Sequence, residues 1–257
     1  MSTDVVVPQW PSPETPRHCS SCRLRRGNQA FTAVTAEELA FIESCRSGTE
    51  MVPAGGALIR ERQPGGRLYT LYSGWAFRYK TLSDGRRQIL NFLLPGDLVG
   101  LQQEFSDTAL HGVEAVTDST FCAFDTDSLW PLFREHARLA YGVTWLAARG
   151  EGMVDDNLLT AGRRTAIERV AVLLVHLHRR MDRLGLAREG SVEFPINQQH
   201  IADALGLSLV HTNKTLRRLA DMGLHEISGG RLRLVNPRAL ARIAEYYDSI
   251  PRPVPLL

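Results

Sequence analysis

Cysteine is scarce in this chain. Four thiols in 257 residues, at positions 19, 22, 45 and 122, are too few and too irregularly spaced for a disulfide framework. The opening MSTDVVVPQWPSPETP lacks the charged start and continuous apolar stretch of a secretory signal. No apolar run approaches the ~18 residues that a membrane span needs, and the longest candidate, VAVLLVHL, is interrupted by a histidine. These absences imply a reducing, cytoplasmic setting and no passage through a membrane. Catalytic signatures are missing as well: there is no phosphate loop, no His-Glu-x-x-His, no nucleophile elbow, and no carboxylate pair whose spacing demands acid–base chemistry. An enzyme is not expected.

What is present is an ordinary globular composition, 44% hydrophobic and 23% charged, in a chain long enough to favour two domains. The net charge is only +2, yet it is unevenly spread. From Arg163 to Arg238 there are 13 Lys and Arg against 7 Asp and Glu, a local surplus of +6, while the remainder carries −4. A positive C-terminal third suggests a polyanion-binding half, although a solvated basic surface gives the same count.

Residues 1–17, rich in Pro and Ser, read as a loose arm. Thr35 and Glu38 form a capping box ahead of a short helix. From Met51 onward, short β-branched and aromatic runs are broken by Gly-Gly, Pro-Gly-Gly, Ser-Gly and Pro-Gly-Asp at intervals of roughly eight to twelve residues, a barrel or sandwich signature. Asp84-Gly85 fits a hairpin turn, and HGVEAVTDSTFCAFD adds further strands. After Pro131 the period becomes helical: Leu139, Gly142, Trp145 or Leu146, Met153 and Leu159 return to one side of a helix expected over 134–160, with Gly142, Gly150 and Gly152 as weak points. That stripe either packs on the barrel or forms a seam between two copies of the chain. A second helix follows, with Ile167, Val170, Ala171, Leu174, Leu177, Met181 and Leu184 at helical spacing and Gly185 as its stop. Its histidines, His176 and His178, are two apart and face different sides, which is poor spacing for one metal.

The stretch QQHIADALGLSLVHTNKTLRRLADMG has helix-turn-helix spacing. Ile201, Ala202 and Leu205 belong to a short helix, Gly206 to the corner and Leu207 to the inside; Ser208 caps a second helix that Gly223 stops. LHEISGGRLRLV then reads as two strands joined at Gly229-Gly230, a wing. Spacing, basic face and wing together indicate DNA binding.

A glycine-rich β-roll ending in LPGDLVG, a long helix, and a winged helix-turn-helix containing IADALGLSLVHTNKTLRRL resemble the Crp/Fnr transcription regulators over roughly residues 17–240. The resemblance implies an α+β fold: an N-terminal jelly-roll-like β-roll of the cyclic-nucleotide-binding kind, a long dimerisation helix and a C-terminal winged helix-turn-helix. The expected divisions are an arm with Cys-x-x-Cys at 1–30, a sensor β-roll at 31–133, a dimerisation helix at 134–160 and a DNA-binding domain at 161–257. It also implies a homodimer on a palindromic double-stranded site, with RNA polymerase as a further partner.

On a reading helix in the major groove, Val210, Asn213, Lys214 and Arg217 occupy adjacent turns near the N-terminal end and are the expected base readers: Asn for adenine, Lys and Arg for guanine, Val for a thymine methyl. Gln198, Gln199, Ser208 and His211 are expected at phosphates. Many family members carry Glu-x-x-Ser-Arg or Glu-x-x-Gly-Arg in this helix; here the matching positions are Val210, Asn213 and Lys214, so a relative's operator does not transfer. In cyclic-nucleotide-binding members a glutamate and an arginine hold the ribose and phosphate; here Leu101 and Ala109 stand in their places, which argues against control by cyclic AMP. Oxygen-sensing members ligate an iron–sulfur cluster with four cysteines, and Cys19, Cys22 and Cys122 lie at three similar positions, leaving a fourth ligand to Cys45 or His18. Three readings stand: a cluster; a zinc or thiol-switch role, with thiols made acidic by Arg23, Arg25 and Arg26; or inert thiols, Cys122 being a buried small hydrophobe. The other function considered is a small-molecule or metal-binding sensor with vestigial DNA contacts. The sequence leaves open whether YYDSIPRPVPLL meets RNA polymerase, a partner subunit or only solvent.

Overall fold

The computed structural model describes residues 18–25, 30–102, 106–246 and 252–257. The arm at 1–17, and Arg26, lie outside the described residues. The chain divides into two compact units: a sensor unit made from the residues up to Asn157 together with 252–257, and a second unit that begins at Leu158.

The sensor unit is built from two four-stranded antiparallel sheets. One has the order β1 (Arg46–Val52), β8 (Ser119–Asp125), β3 (Arg67–Ser73), β6 (Leu98–Val99); the other has β2 (Ala57–Ile59), β7 (Gly112–Ala115), β4 (Ala76–Thr81), β5 (Arg87–Leu93). Turn chemistry fixes these hairpins. Gly85 takes φ +87° between β4 and β5, where Asp84 accepts the Arg86 amide at 3.0 Å. Gly74 takes φ +93° between β3 and β4, and a side chain there would sit 2.3 Å from the Ser119 hydroxyl, so only glycine fits. Val52, Ile59, Leu71, Leu93, Val113 and Phe121 meet as the apolar core of the roll. Burying such side chains contributes about 1.5–3 kcal/mol each.

Helix α1 (Ala36–Cys45) begins at the expected capping box: the Glu38 amide donates to Thr35 Oγ1 at 3.2 Å and the Thr35 amide to Glu38 Oε2 at 2.7 Å. A two-turn helix, α2 (Leu129–Glu135), leads into the long helix α3 (Ala137–Arg163), which therefore starts and ends three residues later than the expected 134–160. The cause is His136, whose φ of −127° and ψ of 68° break the helix between α2 and α3. The expected stripe on α3 is covered in its first part: Leu139 and Gly142 are buried, Trp145, Leu146 and Met153 half-buried, and Leu159 exposed. Leu139, Ala140 and Val143 pack into a second sensor cluster with Ile42, Leu68, Phe124 and Leu132, whereas Tyr141, Val154, Leu158 and Leu159 are exposed. Leu158 lies five full turns beyond Ala140, and Val154 and Leu158 fall on the same side as Leu139, Ala140 and Val143, so one side of the helix is covered in its first half and bare in its second.

In the second unit α4 (Ala166–Arg183) starts at the Thr165–Glu168 capping box and buries Val170, Ala171, Leu174, Leu177 and Met181 completely, as the spacing predicted; Gly185 follows at φ +71°. Helices α5 (Gln198–Leu205) and α6 (Leu209–Asp221) follow, then a sheet of order β10 (His225–Ser228), β11 (Arg231–Leu234), β9 (Ser191–Glu193). Strand β9 and a last helix, α7 (Pro237–Ile243) capped by Asn236, complete this unit and were not foreseen.

One boundary moves for a physical reason. Residues 252–257, expected with the DNA-binding domain at 161–257, belong to the sensor unit, because Val254 pairs as an isolated parallel bridge with Phe31 and Leu256 is buried there.

Candidate nucleic-acid interface

The reading helix is positioned by caps at both ends of its turn. Asn197 caps α5 by accepting the His200 amide at 2.8 Å. Gly206 then takes the left-handed conformation, φ 62° and ψ 37°, and Ser208 caps α6 by accepting the His211 amide at 3.2 Å. Leu207 is half-buried in this corner. On α6, Thr212, Thr215, Leu216 and Leu219 face inward. The opposite face carries Val210, 79% exposed, with Lys214 and Arg217 exposed one and two turns on. Positions 210, 213, 214 and 217 therefore share one side, as the helical period requires.

Individual residues fare differently. His211 and Arg218 are exposed; Arg218 belongs to the same polar helical run but was not among the expected contacts. Asn213 is half-buried and its Oδ1 has no hydrogen-bond partner among the described residues, so it is less available to a base than Lys214 or Arg217. Ser208 accepts one bond as the cap, and its hydroxyl proton remains available to a phosphate. Gln198, Gln199 and Arg217 line one groove of about 630 Å3 with Leu209, His225 and Ile227, so three of the eight expected contact residues meet there, while Ser208, Val210, His211, Asn213 and Lys214 do not line it. Gln199 also holds Asp203 at 2.7 Å.

Two contacts absent from the sequence reading hold this surface. His225 on β10 is buried, and its Nε2 lies 3.2 Å from the Leu216 carbonyl oxygen, tying α6 to the wing; burial lowers its pKa, against the opposing effect of that hydrogen bond. Arg169 on α4 donates to the carbonyls of Ala161 at 2.7 Å, Arg164 at 2.8 Å and Leu205 at 3.0 Å, joining the last turn of α3 to the end of α5. Charged donors satisfying orphan helix-end carbonyls account for both its position and its value. The paired histidines do other work, His178 sitting 3.2 Å from the Gly190 carbonyl.

In the sensor unit, a cavity of about 360 Å3 is lined by Arg78, Asn91, Asp97, Leu101, His111 and Arg149. Arg78 donates to Gln102 at 3.0 Å and faces His111 Nδ1 at 3.5 Å; His111 is pushed down to about 4 by burial and the Arg78 charge. Ala109 is buried in the core of the roll. No arginine replaces the missing one at that position.

Cys19, Cys22 and Cys122 do come together, around a cavity of only about 20 Å3 shared with Arg25, Thr70 and Leu256. Cys45 lines a different cavity with Phe41 and Leu132, and His18 pairs with Glu43 at 2.7 Å. Among the described residues no group of three or more His, Cys, Asp or Glu side chains is placed to hold a metal ion. Three thiols beside a guanidinium in a space for about one water do not fit an iron–sulfur cluster. The expectation of an acidic thiol pair fails at Cys19, which burial raises despite Arg25 and Arg46; Cys122, expected as a buried small hydrophobe, is raised by burial to about 11. Arg23 instead stacks over the Tyr72 ring at 4.8 Å.

A capped helix-turn-helix with a wing, preceded in the chain by a double-sheet roll and a long helix, defines a DNA-binding regulator of transcription. Residues 49–136 match the cyclic nucleotide-binding domain family and 168–243 the Crp-like helix-turn-helix domain family. The nitrogen fixation regulation protein FixK of Bradyrhizobium diazoefficiens is 29% identical over 88% of this chain and 93% of its own. The transcriptional activatory protein AadR of Rhodopseudomonas palustris is 32% identical over 73% of this chain and 77% of its own. The solved structure of FixK2 from Bradyrhizobium japonicum superposes with a TM-score of 0.70 at 30% identity, covering 79% of this chain and 98% of that one. The chain belongs to the Crp/Fnr family of transcription regulators, whose members are regulators and not enzymes. Among the described residues no helix is long and apolar enough to cross a membrane.

Proposed function

We propose that the chain is a cytoplasmic, homodimeric, sequence-specific regulator that reads a palindromic promoter site with one α6 from each copy. The observation that carries this reading is the outward face of α6, where Val210, Lys214 and Arg217 stand clear of the unit's own core. Homodimerisation is supported by the bare second half of α3, where Val154 and Leu158 lie one turn apart at 53% and 71% exposure. Apolar residues at that spacing bury well against a second copy. Activation through RNA polymerase is the favoured outcome, since AadR is named an activator.

Cyclic AMP has no part in this reading, because Leu101 and Ala109 stand where the glutamate and arginine would hold it, and among the described residues both guanidiniums lining the cavity are engaged, Arg78 with Gln102 and Arg149 with Asp97. A resident iron–sulfur cluster has none either, since the cysteine donor set does not fit one. Redox responsiveness then resides in the thiols themselves.

The test is anaerobic purification followed by iron analysis, sedimentation and fluorescence anisotropy on duplex DNA at several salt concentrations. The reading expects an iron-free dimer whose affinity falls steeply with salt as counterions return to the phosphates. A monomer, or salt-insensitive and undetectable binding, returns the chain to a sensor with vestigial DNA contacts.

A further inference from the structure

Residues 252–257 follow the reading unit in the chain, yet they are seated on the sensor unit at four separate points. Val254 exchanges backbone hydrogen bonds with the segment around Phe31: the Thr32 amide donates to its carbonyl at 2.9 Å and its own amide donates to the Ala30 carbonyl at 2.8 Å. Val254 lies between two prolines and so supplies the one amide of Pro253–Pro255, which is bonded. Arg25 Nη2 donates to the Leu256 carbonyl at 3.0 Å, and Leu256 is 3% exposed. Leu257 packs against the cluster containing Cys19, Leu68 and Phe124. Finally, Gly142 on α3 leaves room for Pro255, which a side chain at that position would meet at 3.1 Å.

Leu256 and Leu257 line the same cavity as Cys19, Cys22 and Cys122. We propose that 252–257 is a removable strap over a thiol modification site formed by these three cysteines, such that a docked strap and a modified thiol exclude each other. Two observations require the exclusion. The cavity of about 20 Å3 has space for about one water, so no organic adduct fits while Leu256 and Leu257 stay in place. Burial also raises the Cys19 and Cys122 thiols above the ordinary value, while Arg46 acts on both, and Arg25 on Cys19, in the opposite sense. Lifting the strap admits water, removes the dominant effect and leaves the arginines to favour the thiolate. The ligands of the site are small electrophiles and oxidants that react with thiolate sulfur. The inference concerns the sensor unit alone and stands whether or not α6 reads DNA.

The experiment is timed labelling of the full chain with iodoacetamide, read by peptide mass spectrometry beside amide hydrogen exchange. In the labelling step the thiol proton passes to solvent, sulfur bonds to carbon and iodide leaves. Two variants open the strap: Gly142→Leu, which fills the Pro255 seat, and Val254→Pro, which removes the bridging amide. Both are expected to label Cys19, Cys22 and Cys122 about tenfold faster or more than the parent, with the Thr32 amide deprotected and the β3 and β8 amides unchanged. In the parent, slow labelling is expected to deprotect Thr32. Thiols that stay slow when Thr32 is deprotected overturn the proposal. So does a labelled parent whose Thr32 amide remains protected, a result that decides the matter even where a variant loses its β3 protection.

Discussion

Arginine does opposite work in the two units. On the reading helix Arg217 and Arg218 are exposed beside Lys214. In the sensor unit Arg25 and Arg78 are desolvated enough that burial lowers their pKa, and each is held by a carbonyl or amide oxygen, Leu256 for Arg25 and Gln102 for Arg78. A hydrated guanidinium can release counterions when it meets phosphate, whereas a buried and bonded one fixes the segment it touches. The same residue type thus marks a surface for binding in one unit and a fastening in the other. Arg169 is a fastening inside the reading unit, joining three helix-end carbonyls.

The comparison breaks most visibly at the reading face. Lys214→Ala with Arg217→Ala is expected to weaken duplex binding about 100-fold or more and to flatten its salt dependence, while thermal stability stays within about 0.5 kcal/mol. Anisotropy titrations at several salt concentrations, beside a melting curve, measure both. Next in size is pH. His111 titrates near 6.5 when unfolded and near 4 in the sensor unit, so the unfolded chain binds more protons between those values. Stability from this group is complete above about pH 6.5 and falls by about 3 kcal/mol as pH drops to about 4. His225 acts in the same sense in the reading unit. Denaturant titrations across that range, with His111→Gln as the flattened control, check the sign.

Arg169→Met is expected to cost about 1–3 kcal/mol, because three carbonyls lose a charged donor, and the loss should appear as faster amide exchange in α5 while the sensor strands are unaffected. Smallest is the pair between Arg138 on α3 and Glu38 on α1, which holds the carboxyl down to about 2. Arg138 is half exposed, so Glu38→Gln is expected to change stability by less than about 1 kcal/mol at neutral pH, seen as a small shift in melting temperature.

Local features were legible in the sequence where a residue's own chemistry dictates the backbone. Gly85, Gly185 and Gly206 adopt the positive φ expected of turns and helix stops, and Thr35 and Ser208 form the expected caps. The α4 stripe was legible because Val170, Ala171, Leu174, Leu177 and Met181 are buried on one side, with Ile167 and Leu184 half-buried at its ends. The α3 stripe was legible as a side of the helix, but a period does not show how far along that side is covered: Leu139 and Gly142 are buried, while Met153 is half-buried and Leu159 exposed. Strand β9, three residues long, and α7, seven residues long, are too short for a period to register. The strap was illegible for a different reason: Val254 meets Phe31 more than 200 positions away in the chain, and Arg-Pro-Val-Pro-Leu-Leu carries no periodicity. Thiol acidity at Cys19 was misjudged because neighbouring arginines are visible in a sequence and burial is not. At the interface, the exposed cations were found, while His225 and Arg169, which aim them, depend on contacts that only the folded chain makes.

The most direct test of paired reading is to select duplexes from a random pool with the purified protein and footprint the winners with hydroxyl radicals. The account predicts two-fold symmetric half-sites with protected centres about one helical turn apart, lost together in the Lys214→Ala, Arg217→Ala variant. A single unsymmetrical half-site bound by one copy, or protection that survives that variant, would contradict it.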